Sequence, residues 1–170
     1  MKKAIVVDWL DKYGGAERVI SSITKIFQFE TCYTLISIMN KEDLNKVFSN
    51  KVIKVKSSFL QLFKSKFRYL FFLFPYFIKK IKVDKSVELI ISSSFSVAKG
   101  IKKSHPNQIH ICYIQARNQR YLWDKEGIYF EKTTRLLLSP ILKLLKKIDI
   151  KHASNPDYLI ANSRFVQNWI

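Results

Sequence analysis

The sequence predicts an α/β domain with a mainly parallel, doubly wound sheet. Short apolar runs alternate along the chain with stretches whose apolar residues recur at helical spacing. The first run passes through a glycine pair into an amphipathic helix, the start of a βαβ unit. At 170 residues the chain makes one domain with a real core, and ligands of such sheets gather at the carboxyl ends of the strands.

The opening strand is Ala4-Ile5-Val6-Val7, stopped by Asp8. A polar-aromatic loop, Trp9 to Tyr13, leads to Gly14-Gly15 and a helix in which Val19, Ile20, Ile23, Ile26 and Phe27 share one face. Glycines at such a junction let backbone approach a ligand, and the helix start behind them offers free N–H groups to a phosphate. The same pair also fits a turn tightened for packing alone. A strand follows around Cys32 to Ser37, a short polar helix near Lys41 to Phe48, and a strand at Val52 to Val55. Further strands are Val87 to Ile91, running into Ser92-Ser93-Ser94, then Ile109 to Ile114, and Tyr158 to Ala161. A helix from Leu136 to Asp149, with Pro140 near its start, precedes the last strand.

Composition narrows the partners. The net charge is +17, supplied by 24 Lys against 6 Arg, which favours an anionic membrane leaflet or a polyphosphate. Groove and RNA readers lean on arginine, and no nucleic-acid-binding signature is present, so no nucleic acid is expected. Cys32 and Cys112 read as reduced thiols in buried strands; His105, His110 and His152 have no metal spacing, and neither metal nor cofactor is expected. Met1-Lys2-Lys3 resembles the start of a secretory signal, but Asp8 and Asp11 interrupt the apolar stretch, so a cytoplasmic chain is expected.

One segment departs from the alternation. Lys51 to Lys82 holds nine basic residues and no acidic one, and within it Phe67 to Ile78 is densely aromatic. Those twelve residues are too few to span a bilayer, which takes about 20. Phe59, Phe63, Phe67, Leu70, Phe71 and Phe74 fall at i+3 and i+4 steps, flanked by Lys64, Lys66, Arg68, Lys79, Lys80 and Lys82, with Pro75 breaking or starting a helix. A basic, Phe-rich amphipathic stretch predicts an interfacial anchor on an anionic membrane surface. Its alternative is a buried helix pair with solvated lysines.

Four stretches, in order, resemble one family. D-W-L-D-K-Y-G-G-A-E-R (Asp8 to Arg18) is similar to the amino-terminal motif of family 4 retaining glycosyltransferases, which are mannosyltransferase-like enzymes of two-domain GT-B fold. I-S-S-S-F-S-V-A-K-G (Ile91 to Gly100) resembles the strand and loop after the membrane-facing insert, here at about residues 57–82. C-Y-I-Q-A-R-N-Q-R-Y-L-W-D (Cys112 to Asp124) resembles the family's C-Y-x-H-T-P-x-R-Y-x-W-D, and D-Y-L-I-A-N-S-R-F-V (Asp157 to Val166) its last strand before the crossover between domains. The resemblance spans residues 1–170 and implies a Rossmann-like, acceptor-side half of a GT-B fold. It departs in two places. Gln115 stands where the family has His, in a segment one residue longer, and a glutamine cannot titrate. The chain also reaches Ile170 about where the donor-binding domain and its E-x7-E motif are expected.

The resemblance places Gly14 and Gly15 against the donor diphosphate and Gln115 at the catalytic position. It places Ser93, Ser94, Arg117, Arg120, Asn162 and Ser163 toward the acceptor. Each has a plainer alternative: a tight turn for the glycines, helix caps for Ser93, Ser94, Asn162 and Ser163, and ion pairs with Asp124 or Glu126 for the arginines. Glu17 suits the first turn of a helix dipole, and Tyr121 and Trp123 suit either sugar stacking or core packing. The implied function is sugar transfer from a nucleotide sugar, bound only with a carboxy-terminal domain, to a lipid-linked or polysaccharide acceptor in cell-surface glycan synthesis. The location implied is peripheral, on the inner face of the plasma membrane, and the isolated chain is expected to be inactive. The competing reading is a non-enzymatic membrane-binding module.

Overall fold

A computed structural model of the protein describes residues 1–116, 120–123 and 130–170, with the backbone alone at residues 120, 121 and 132. Six strands form one all-parallel sheet: β1 Lys2–Val7, β2 Thr31–Thr34, β3 Lys54–Ser57, β4 Val87–Ser94, β5 Ile109–Ile114 and β6 Tyr158–Ala161. Their order is β3-β2-β1-β4-β5-β6. The chain winds outward from β1 in one direction, returns, and winds outward in the other, which is the Rossmann-like, doubly wound arrangement. The reversal falls between β1 and β4, which run side by side from Lys3↔Leu89 to Val7↔Ser93. A crevice opens at the carboxyl ends of strands at such a switch point.

Side-chain alternation along β1 divides the core. Ile5 and Val7 point to one face with Cys32, Leu89 and Ile91, beneath α1 (Gly15–Ile26) and α2 (Lys41–Val47). Ala4 and Val6 point to the other with Tyr33 and Ile90, beneath the basic aromatic segment. Both cysteines are buried and free. Burial pushes the Cys112 thiol up to about 12, so both behave as small apolar groups.

The basic segment keeps the predicted helix start at Pro75, but the part before it is not the amphipathic helix that the spacing implied. Phe59–Leu73 is a run of 3₁₀ turns, interrupted at Lys64 (φ 45°, ψ −129°) and Leu70, and only Phe74–Lys80 (α3) is α-helical. The phenylalanines therefore do not share one stripe. Phe67 and Phe74 are buried and stack on each other, with centroids 5.8 Å apart, and both pack on Trp9. Their expected insertion into lipid is thus corrected: they are core residues. Phe71 is half-buried between two parts of the core. Phe59, Phe63, Lys64, Lys66, Lys79 and Lys80 remain exposed. Arg68 is exposed but bound to the Asp11 carboxylate.

After a four-residue helix, α4 (Arg120–Trp123), the chain forms α5 (Lys132–Ala153), which starts earlier and ends later than predicted. Pro140 lies inside α5 rather than near its start. It is tolerated because residues 136 and 140 are exposed, so water reaches the carbonyl that loses its partner. The buried Asp149 on α5 pairs with buried Lys99 at 2.6 Å and accepts the Trp123 indole N–H at 3.0 Å. These contacts tie α4 and α5 to the loop after β4. A last short helix, α6 (Arg164–Gln167), follows β6.

Candidate functional site

The site is organised by a residue whose role sequence reading missed. Asp8, immediately after β1, is fully buried, and its carboxylate accepts four backbone N–H groups from the loop after β4. Phe95 and Ser96 donate to one oxygen at 2.7 and 3.0 Å, and Val97 and Ala98 to the other at 2.5 and 2.6 Å. Burial pushes this carboxyl up from its ordinary range, and the four donors pull against that. The bonds clamp two loops together on either side of the switch point. Trp9 then packs edge-on against Phe95, with ring centroids 4.6 Å apart.

Beside this clamp lies a cleft of about 370 Å³ lined by Gly15, Ala16, Phe95, Gln115 and Asn162. The two glycines differ in kind. Gly14 caps α1 in extended backbone, and a Cβ there would meet the Glu17 carboxylate at 3.3 Å. Glu17 is buried against the helix start, and burial pushes its carboxyl up while the backbone N–H groups of Glu17 and Gly14 pull it down. Gly14 thus belongs to the turn's packing. At Gly15 a Cβ would find nothing within 4 Å, and no glycine among the described residues has positive φ. Neither conformation nor packing calls for glycine at Gly15; its missing side chain leaves the first turn of α1 open to the cleft.

Gln115 follows β5, only 7% exposed, and its Nε2 donates to the Ser93 hydroxyl and to the Ala16 carbonyl, the latter at 3.3 Å. Its Oε1 receives no hydrogen bond from the described residues and belongs to a side chain that lines the cleft. Asn162, after β6, donates Nδ2 to the Gln115 carbonyl, which fixes the far wall. Three strand ends and one helix start thus converge on this cleft, and Gly15, Gln115 and Asn162 line it together.

Other predicted residues lie elsewhere. Ser93 and Ser94 are each 1% exposed and turned inward, Ser93 toward Gln115 and Ser94 as acceptor of the Lys99 N–H at 3.3 Å. Direct acceptor contact by these two is corrected to support of the loop. Ser163 caps α6, accepting from Val166 N at 3.2 Å. Arg117 lies outside the described residues, as does the side chain of Arg120, whose backbone opens α4. Trp123 packs edge-on against Trp169 under the Lys146 ammonium, which favours the packing role.

No helix of the described residues is long and apolar enough to cross a membrane. No group of three or more His, Cys, Asp or Glu among them is placed to hold a metal ion. The chain matches no protein-family model, no curated protein and no solved structure.

Proposed function

We propose that this domain is the acceptor-side half of a retaining glycosyltransferase that works at a membrane surface. The observation that carries the reading is Gly15: a glycine that its own chain does not require, at a helix start, facing a cleft at the switch point of the sheet. The N–H groups of Gly15 and Ala16 at the start of α1 would meet the donor diphosphate there and stabilise charge as it leaves the sugar. Gln115, whose Nε2 is committed within the fold, would accept a hydrogen bond from a sugar hydroxyl through Oε1. It would position the sugar rather than move a proton.

The exposed part of the basic segment supports docking on anionic membrane. Phe59, Leu62, Phe63 and Phe72 are exposed among Lys64, Lys66, Lys79 and Lys80. The core aromatics Phe67 and Phe74 join this face to the cleft through Trp9 and Phe95. A non-enzymatic membrane-binding module shares the docking face but gives no reason for the open Gly15.

The test is a transfer assay. Residues 1–170 are combined with a nucleotide-sugar-binding unit carrying E-x7-E, a nucleotide sugar and membrane lipid extract, and the lipids are followed by mass spectrometry. Sugar addition that needs both protein parts, and that Gly15→Val reduces more than Gln115→Ala, is the expected result. Addition unaffected by Gly15→Val would overturn the role given to the turn. Binding to membranes with no transfer would favour the module.

A further inference from the structure

A second cleft, of about 550 Å³, lies at the base of the basic segment, between the end of β3 and the end of α3. Lys56, Lys80 and Lys82 line it, together with Ser57, Phe59 and Tyr76. Among the described residues none of these lysines has a carboxylate within 4 Å. The nearby acid, Asp84, accepts the Ser86 N–H and hydroxyl, each at 2.8 Å, which keep it ionised, and it acts on Lys56 only at longer range, without an ion pair. Two of the ammonium groups are held over aromatic rings, Lys56 at 5.6 Å from the Tyr33 centroid and Lys80 at 5.4 Å from that of Tyr76. Cation–π contact restrains a lysine without neutralising it, so the charges are positioned without a direct ion pair among the described residues.

The rim is equally specific. Phe63 packs edge-on against Phe59 at 6.3 Å, Phe59 stacks on Phe77 at 6.1 Å, and Phe77 meets Tyr76 at 5.4 Å. Phe59, Phe63 and Tyr76 are 62%, 42% and 56% exposed, so this row forms an apolar ledge leading out of the cleft. A compact anion accounts for the lysines, and an attached hydrocarbon accounts for the ledge.

We infer that this cleft binds the phosphate headgroup of a membrane lipid, with Lys56, Lys80 and Lys82 converging on the phosphate and the Phe59–Phe63 ledge against the acyl region. This rests on the docking face proposed above and is independent of sugar transfer. It turns a diffuse electrostatic attraction into a site with a preference for an exposed phosphomonoester, whose oxygens can meet three ammonium groups at once.

The experiment is vesicle co-sedimentation of the whole chain. It uses neutral phosphatidylcholine vesicles doped with phosphatidate or with phosphatidylglycerol, matched for surface charge. One surface lysine is worth about fivefold in binding on an anionic leaflet, so phosphatidate is expected to bind at least that much tighter. Lys56→Gln, Lys80→Gln and Lys82→Gln combined should erase the preference. The equal-charge control, Lys64→Gln, Lys66→Gln and Lys79→Gln combined, should weaken both vesicles alike and keep it. Circular dichroism checks the fold of each triple variant. Equal binding to the two vesicles, or equal loss of preference in the two variants, would overturn the headgroup site while leaving the docking face intact. Binding to neither vesicle would overturn both. Glycerol 3-phosphate that binds the protein with no vesicle preference would reassign the cleft to a soluble phosphate compound.

Discussion

Replacing Asp8 by Asn keeps the volume of the side chain and removes half of its accepting capacity. The carboxylate receives four backbone N–H groups at 2.5–3.0 Å, two on each oxygen. In the amide one oxygen still accepts two of them, while an NH₂ group turns toward the other two. Both of those donors lie in a site closed to water, since Asp8 is 0% exposed. A buried N–H left without an acceptor costs about 1–3 kcal/mol. Two of them put the loss at about 4 kcal/mol, with no cavity to add. A domain's whole stability is about 5–15 kcal/mol, so Asp8→Asn is expected to lower the urea midpoint strongly. Each kcal/mol lowers Tm by about 2–4 °C at this size, which gives a drop of about 12 °C. Urea unfolding followed by circular dichroism, with m unchanged, measures it. A loss below about 1 kcal/mol would show that the loop after β4 is not held by this carboxylate, and the reasoning would fail.

Three other expectations follow from the same packing. Gly100→Ala places a Cβ 2.2 Å from the His152 ring and should cost about 1–3 kcal/mol in thermal unfolding, whereas Gly15→Ala, with open space around it, should stay within about 0.5 kcal/mol. Burial lowers His110 and His152 to about 4, so the unfolded chain takes up more protons between about pH 6.5 and pH 4 and stability falls as pH drops through that window; NMR titration of both rings near pH 4 checks it, and midpoints near 6.5 would contradict it. Phe67→Ala should destabilise by about 3–5 kcal/mol, while Phe63→Ala should barely change stability and should weaken vesicle binding.

The central strands were legible because a parallel sheet buried on both faces demands continuous apolar runs, as in β1 and β4, whereas β6 at the sheet edge is largely exposed and β3 lies two residues beyond its predicted run. The glycine turn was legible as a unit, but the division of labour between Gly14 and Gly15 depends on the position of Glu17. Asp8 carried no signal beyond ending a strand, because its partners lie 87 to 90 residues away. The aromatic segment misled for a different reason. Spacing of i+3 and i+4 assigns one face only if the backbone stays α-helical, and positive φ at Lys64 breaks that phase. Phe67 and Phe74 could then turn into the core against Trp9 while Phe59 and Phe63 stayed outside.

The central claim is that the open first turn of α1 receives a diphosphate. Titrating isotopically labelled chain with a nucleoside diphosphate, and following backbone amides by NMR, tests it most directly. The account predicts shifts centred on Gly15, Ala16, Gln115 and Asn162, reproduced by inorganic pyrophosphate and lost in Gly15→Val. Shifts that avoid this cleft, or that persist unchanged in Gly15→Val, would contradict it.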